Sequence, residues 1–242
     1  MRTEQPPDLG KILFIDIETV PQQWHWDQLD PITAKLFSDK TRWEQERSER
    51  SVDSIYADRA GILAEFGKII CIGVGHFIRE GSDLKLRVTS FENDDERFVL
   101  QQFVDLLDKH YNTDEHRLCG HNAKEFDFPY IARRCLINKV QLPRLLDSSG
   151  LKPWEIGLID TMSLWCFGDR KAFTSLSLLA HVLGVPTSKD DISGADVARV
   201  YHVDHDLPRI AKYCRKDVVA TAQVYLRLTG KEVIPDQNII LI

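Results

Sequence analysis

The sequence predicts an α/β fold, a mixed β-sheet flanked by helices, and three observations carry that expectation. A near-continuous apolar run from Lys11 to Ile17 reads as a central strand buried on both faces. Two β-rich stretches, Lys68 to Phe77 and Leu84 to Phe91, are joined by a turn at Arg79-Glu80-Gly81-Ser82, as hairpin strands are. From residue 94 onward, helical periodicity alternates with short apolar stretches, the pattern of strands linked by helices. At 242 residues, 43% of them hydrophobic, the chain can bury one substantial core, and residues 1–242 are expected to form a single domain.

Taken in order, the first strand places Glu18 at or just past its carboxyl end, where ligand sites of open α/β sheets gather. Residues 20–60 form a polar insertion holding Trp24, Trp26 and Trp43, with a charge-rich stretch from Arg42 to Arg50. The charges read as a solvated helix face and the tryptophans as its anchor to the core; a flap touching substrate is the weaker alternative. Asp94 and Asp95 open a helix with Val99, Phe103, Leu106 and Leu107 on one face. Arg117 to Asn122 is a short strand, and Pro129 sits in the first turn of a helix whose apolar side carries Ile131 and Cys135. Leu158 to Met162 is a further short strand. Ser175 to Leu183 is a helix stopped by Gly184 and Pro186, and Asp206-Leu207-Pro208 starts a long helix through Leu228, ended by Gly230. The low-charge tail, residues 231–242, reads as a last strand or core plug, with a partner-binding edge as the alternative.

Several function classes are disfavoured by composition. The first ten residues hold no apolar stretch of the kind a secretory leader needs, and no apolar run is long enough to cross a bilayer. The cysteines Cys71, Cys119, Cys135, Cys166 and Cys214 never form C-x-x-C and several sit in apolar runs, which fits buried free thiols in a reducing cytoplasm. A cytoplasmic protein without a membrane partner is expected. The formal charge of −6 argues against tight binding along a duplex, because backbone phosphates attract basic surfaces. It leaves room for an enzyme that grips a few terminal nucleotides, with local basic groups at Arg133, Arg134 and Lys139 and at Arg209, Lys212, Arg215 and Lys216.

Three motifs carry the chemistry. Asp16 and Glu18 alternate by two on a strand, so both carboxylates leave on one side, and two unpaired charges there are costly unless a metal or hydrogen bonds compensate them. The plain alternative is a strand end with solvated acids. Asp127 follows Phe126 at a helix start, where an aspartate by itself reads as a cap, and Asn122 lies five residues earlier. His121 reads as a packed, hydrogen-bonded neighbour. Tyr213 and Asp217 are i and i+4 on the last long helix, one above the other; alone, they read as a core-facing aromatic beside a surface acid. Together the motifs supply four carboxylates at strand and helix ends expected to converge. Carboxylate oxygens suit magnesium or manganese, and a pair of such ions serves in-line attack on phosphodiesters.

In this combination the chain resembles the DEDD superfamily of 3′–5′ exonucleases, within the ribonuclease H-like fold. It looks most like stand-alone relatives of the proofreading exonuclease domain of family B DNA polymerases. The resemblance covers about Lys11 to Leu228 apart from the 20–60 insertion. It implies that Asp16, Glu18, Asp127 and Asp217 are the metal-binding acids, holding two divalent cations, Mg2+ or Mn2+. Tyr213 takes the tyrosine position of the DEDDy branch; the histidine branch would place His five residues before the last acid, where this chain has Lys212. Asn122 and Phe126 match residues that contact the terminal nucleotides, Thr19 lies beside the first pair of acids, and Asp160 is expected to be structural. The implied activity is release of nucleoside 5′-monophosphates from single-stranded or frayed 3′ ends, DNA favoured over RNA. No polymerase segment follows in this sequence, so a polymerase or repair partner would be served in trans. A catalytically weak binding or scaffold module, or an RNA exonuclease of oligoribonuclease type, remains open.

Overall fold

Six strands build one mixed sheet in the computed structural model, which describes residues 7–152, 156–169, 173–186 and 192–242. The first six residues, part of the stretch read as lacking a leader, lie outside it. In chain order the strands are β1 (Ile12–Pro21), β2 (Gly67–Glu80), β3 (Asp83–Glu92), β4 (Arg117–Gly120), β5 (Ile159–Asp160) and β6 (Ile239–Leu241). Across the sheet they run β5-β4-β1-β2-β3-β6. The first three form an antiparallel meander; β4 is parallel to β1, β5 to β4 and β6 to β3. This is the helix-flanked mixed sheet expected of a ribonuclease H-like fold.

The helices are α1 (Pro31–Ser48), α2 (Val52–Arg59), α3 (Glu96–His110), α4 (Asp127–Ile137), α5 (Thr161–Cys166), α6 (Leu176–Val182), α7 (Val197–Arg199) and α8 (Leu207–Leu228), with a π-helical turn at Val200–Asp204 after α7. None of the described helices is long and apolar enough to cross a membrane. The apolar residues of β1 alternate between two cores, which is why the run is nearly continuous. Leu13, Ile15 and Ile17 pack with Val99, Phe103 and Ile131 of α3 and α4, whereas Ile12 and Phe14 pack with Val218, Ala222 and Tyr225 of α8. Asp16 and Glu18 continue that second, even-numbered set, so they share the face that α8 covers.

Most element boundaries follow from local chemistry. Gly81, at φ 62°, makes the two-residue turn between the paired residues Glu80 and Asp83. Asp95 caps α3 by accepting from the Arg97 amide, Asp206 caps α8 by accepting from the Arg209 amide, and Gly184 and Gly230 carry positive φ after α6 and α8. The tail is both things expected of it: β6 joins the sheet edge, and Ile234 is buried with the α8 core.

Three expectations need correction. The first strand does not end near Glu18 but runs to Pro21, interrupted by a bulge between Glu18 and Thr19. The strand expected over Leu158 to Met162 is only Ile159–Asp160, because the Asp160 carboxylate accepts from the amides of Met162 and Ser163 and starts α5. Within the insertion, Trp26 does anchor to Phe37 and Tyr56, but Trp43 is 67% exposed under the Arg47 guanidinium, and Trp24 packs on His202. An 18-residue α1 with few buried positions keeps most of its side chains in water, and Trp43 lies on that outer side.

Candidate active site

The two halves of the site are set by β1 and α8. In the ladder Asp16 stands opposite Gly73 and Glu18 opposite Cys71, and the bulge that follows re-aims the chain beside them. Tyr213, Cys214 and Asp217 lie within one turn of α8. That helix can lie close against the strands because β2 presents no side chain at two positions. A Cβ at Gly73 would stand 2.9 Å from both Cys214 Sγ and Val218 Cγ2, and one at Gly75 would stand 2.7 Å from Val218 Cγ1. Cys214 Sγ consequently reaches the backbone carbonyl of Asp16, 3.4 Å away, and donates to it.

Asp127 arrives from α4. It is the first residue of that helix, yet its Oδ1 accepts from the amide of Ile17 at 3.1 Å, so this acid ties α4 to β1 between Asp16 and Glu18. The loop that delivers it is held by Asp160, which was expected to be structural. Asp160 Oδ1 accepts from the amides of Asn122 (3.1 Å) and Met162 (2.9 Å), and Oδ2 from that of Lys124 (3.0 Å). Asn122 turns the chain at φ 58°, a left-handed conformation that Asn tolerates better than most side chains. His121 is the hydrogen-bonded neighbour foreseen: Nδ1 pairs with the Thr161 hydroxyl and Nε2 donates to the Thr174 carbonyl, each at 2.9 Å. Phe126 is half-buried, its ring 5.3 Å from that of Tyr130. Thr19 spends its hydroxyl on Tyr130, whose own hydroxyl donates to the Gly61 carbonyl at 2.8 Å.

Burial, then the fields of Glu18, Asp217 and Asp127, hold the Asp16 carboxyl well above the usual carboxylate range. Glu18 is raised in the same way, by burial first, then by Cys71, Asp217 and Asp127. Asp127 is pushed up to about 7, mainly by burial, although its own amide and that of Ile17 oppose the shift. Burial, then Asp217 and Glu18, push the Tyr213 hydroxyl up, so it stays protonated and donates to Asp217. Among the described residues no Lys or Arg acts as a charge partner of Asp16, Glu18 or Asp127. Asp16 Oδ2 is buried without a hydrogen-bond partner, a costly arrangement unless something outside the chain meets it.

That orphaned oxygen, in a set of hard carboxylate donors, fits a divalent cation of the magnesium or manganese kind. Donor atoms of Asp16, Glu18 and Cys214 lie within 4.8 Å of one another. The inclusion of Cys214 was not foreseen; its position between Tyr213 and Asp217, on the same helix face, was the available signal. Burial and its thiol and acidic neighbours keep Cys214 protonated, and a thiol is a poor ligand for a hard cation. Of the basic groups noted in the sequence, Arg134 is withdrawn from any phosphate, being 4% exposed and paired with Glu96. Arg215 donates to Ser90 at 2.6 Å, and Lys212 is exposed.

A family described as predicted 3′–5′ exonucleases related to the exonuclease domain of PolB matches residues 62–233, and the chain belongs to it. The matched stretch includes Asp127, Tyr213 and Asp217, while Asp16 and Glu18 precede it. Over 193 residues the chain is 24% identical to DNA polymerase 1 of Pyrococcus abyssi, covering 71% of this chain and 23% of the polymerase. The same values hold for DNA polymerase 1 of the GE5/Orsay strain of that organism. The chain therefore spans about a quarter of the length of the curated relatives it matches. Among solved structures it is similar to the RNase domain of the yeast Pop2 protein, with a TM-score of 0.45 and 11% identity over 91% of this chain and 77% of that one.

Proposed function

We propose that this chain is a metal-dependent 3′–5′ exonuclease that hydrolyses phosphodiesters at single-stranded or frayed 3′ ends, DNA in preference to RNA, and releases nucleoside 5′-monophosphates. The observation that carries the reading is the buried, unpartnered Asp16 Oδ2 beside Glu18, within the fields of Asp127 and Asp217. Four clustered acids would repel a phosphate, so a binding module has no use for them without cations. Asp16, Glu18, Asp127 and Asp217 would hold the ions, with Cys214 outside the ligand set. Two divalent cations supply positive charge against the charge that builds on the phosphoryl oxygens during in-line attack.

The remaining work falls to side chains of the protein. Tyr213 keeps its proton and, anchored on Asp217, can orient a water for attack on the terminal phosphorus; the bond to the upstream 3′ oxygen breaks. Asn122, set by its left-handed backbone, offers an amide to sugar or phosphate. The half-exposed Phe126 gives the terminal base a sequence-tolerant platform. Thr19, its hydroxyl engaged by Tyr130, contributes through backbone at the bulge. The sharing of one sheet by all six strands supports a single domain over 1–242. The five free cysteines, four of them buried, support a reducing cytoplasm. A polymerase or repair complex served in trans is the partner this activity would suit.

The test uses 5′-labelled single-stranded DNA, RNA and frayed duplex with magnesium, manganese or EDTA. A ladder shortening from the 3′ end, faster on DNA and silent in EDTA, is expected. Internal fragments alone, or equal cutting of a blocked 3′ end, would replace the reading with an endonuclease.

A further inference from the structure

A cavity of about 570 Å3 opens where β1 ends, lined by Trp24, His25 and Gln28 from the segment after the strand, Lys68 from β2, and Tyr201 and His202 from the π-helical turn. The Trp24 and His202 rings lie 5.4 Å apart at 30°. His202 is fixed, since its Nε2 donates to the Pro21 carbonyl at 2.9 Å and the Tyr201 ring meets it edge-on at 4.9 Å. Tyr201 is fixed in turn: its hydroxyl accepts from Lys68 Nζ and donates to Asp94 Oδ1, both at 2.8 Å. The indole is half-buried but belongs to none of the hydrophobic cores; that of the insertion is built on Phe37, Tyr56 and Phe66, with Trp26 against it. An aromatic ring held against an immobilised imidazole, at the wall of an open cavity, is better explained by a planar ligand than by folding.

The position suggests which ligand. Pro21 follows Glu18 by three residues of extended chain, so the cavity lies about 10 Å from the acids along β1. Tyr201, Leu207 and Tyr213 pack on one cluster with Val20 and Ile70, so cavity and acid cluster share a wall. His25, His205 and Lys68 line the cavity beside Asp94, the one acid among its lining residues, and offer N–H donors to a phosphate-linked group. Its volume is that of an ordinary small-ligand site.

We propose that Trp24, backed by His202, stacks the base of a nucleotide lying one or two positions upstream of the terminal one. This rests on the exonuclease reading and adds to it a second base-holding subsite. Residues 22–28 precede the stretch that the family description matches, whereas Lys68, Tyr201 and His202 lie within it. Stacking of this kind accepts any base and favours unpaired strands, because a base within a duplex already has stacking partners.

The test is chain-length dependence. Wild type, Trp24→Ala and Trp24→Phe are assayed with magnesium on single-stranded DNA from dinucleotides to roughly eight nucleotides. Wild-type kcat/KM should climb once the strand is long enough to reach the cavity. Trp24→Ala should lose about tenfold or more on the longer strands, through KM, with the loss shrinking towards the dinucleotide. Trp24→Phe, which keeps a ring, should recover most of it. Oligonucleotide added in EDTA should quench a part of the tryptophan fluorescence that Trp24→Phe lacks. A loss equal at every length, or no loss at any, would overturn the subsite. A wild type that cleaves nothing overturns the exonuclease reading instead, and the quenching then still reports on the subsite.

Discussion

Glu96 and the acids around Asp16 are carboxylates buried against the same sheet, and they are supported in opposite ways. Glu96 is 6% exposed, close to the 7% of Glu18 and 5% of Asp127, so depth is not what separates them. Its Oε1 accepts from the Ile69 amide (2.7 Å) and Arg134 Nε (2.8 Å). Its Oε2 accepts from Asn138 (2.8 Å) and from the second guanidinium nitrogen of Arg134. Arg134 completes its own bonding at the Ala64 carbonyl, 2.8 Å away. The chain thus encodes both the charge and its counter-charge. At Asp16 it encodes acids, leaves one oxygen unmet, and among the described residues sets no Lys or Arg against three of them. The buried acid at Glu96 brings its partners along; on the proposed reading, the acids around Asp16 would meet theirs from outside the chain.

Removing one acid from each place gives the sharpest contrast. Asp16→Ala or Asp217→Ala should lower nuclease activity by about 10³-fold or more, since several kcal/mol of transition-state stabilisation go with the ions. The melting temperature of the metal-free protein should hold or rise as repulsion is relieved. Glu96→Ala should do the reverse, costing about 3–5 kcal/mol by leaving Arg134 buried without an anion. Denaturant melts and initial rates on the purified variants check both halves. If Asp16→Ala unfolded the protein while Glu96→Ala were harmless, the two clusters would have to exchange roles.

Tyr213→Phe should have a smaller effect. It removes the hydroxyl proposed to orient water and keeps the ring that packs beside Val20 and Ile210. Turnover should drop by roughly 10²-fold, inside the range of positioned proton-transfer groups, with metal affinity and melting temperature nearly unchanged. Wild-type rates across pH would make it a packing residue, whereas lost metal binding would make it a ligand.

The mildest expected effect is on pH and stability without metal. The folded state holds protons on Asp16, Glu18 and Asp127 more tightly than the unfolded chain does. Their stabilising contribution is therefore complete below the ordinary carboxylate range near about 4 and fades as pH rises, for Asp127 through about 7. Melts in EDTA should show falling stability across that window, and magnesium should flatten the slope. A profile unmoved by magnesium would show that the acid cluster is not its source.

Much of this was legible in the sequence because it depends on local order. The apolar run of β1, the Gly81 turn, the Asp206 cap and the i, i+4 spacing of Tyr213 and Asp217 are all short-range statements. What escaped depends on contacts between distant segments. Taken alone Asp127 reads as a cap, and the resemblance makes it one of the four acids; only the fold reveals that it accepts from Ile17. Arg134 looked like a phosphate contact until Glu96, 38 residues earlier, was found against it. Asp160 ends its strand early because one carboxylate serves the amides of the loop before α4 and of the first turn of α5. Cys214 reads from sequence as one buried free thiol among others, and the closeness of α8 that brings it to Asp16 is written in β2.

That closeness bears on which ion the site could tell from another. Gly73 and Gly75 set the spacing between donors on β1 and donors on α8 by what they leave out, so the gauge of the site is cut in the glycine pair. Preferred oxygen distances of magnesium and calcium differ by only about 0.3–0.5 Å. A methyl at Gly73, starting 2.9 Å from Cys214 Sγ, would need at least a comparable retreat of α8 to reach ordinary contact. One carbon atom on a strand that carries no ligand is therefore as large as the whole margin by which a small cation is distinguished from a larger one.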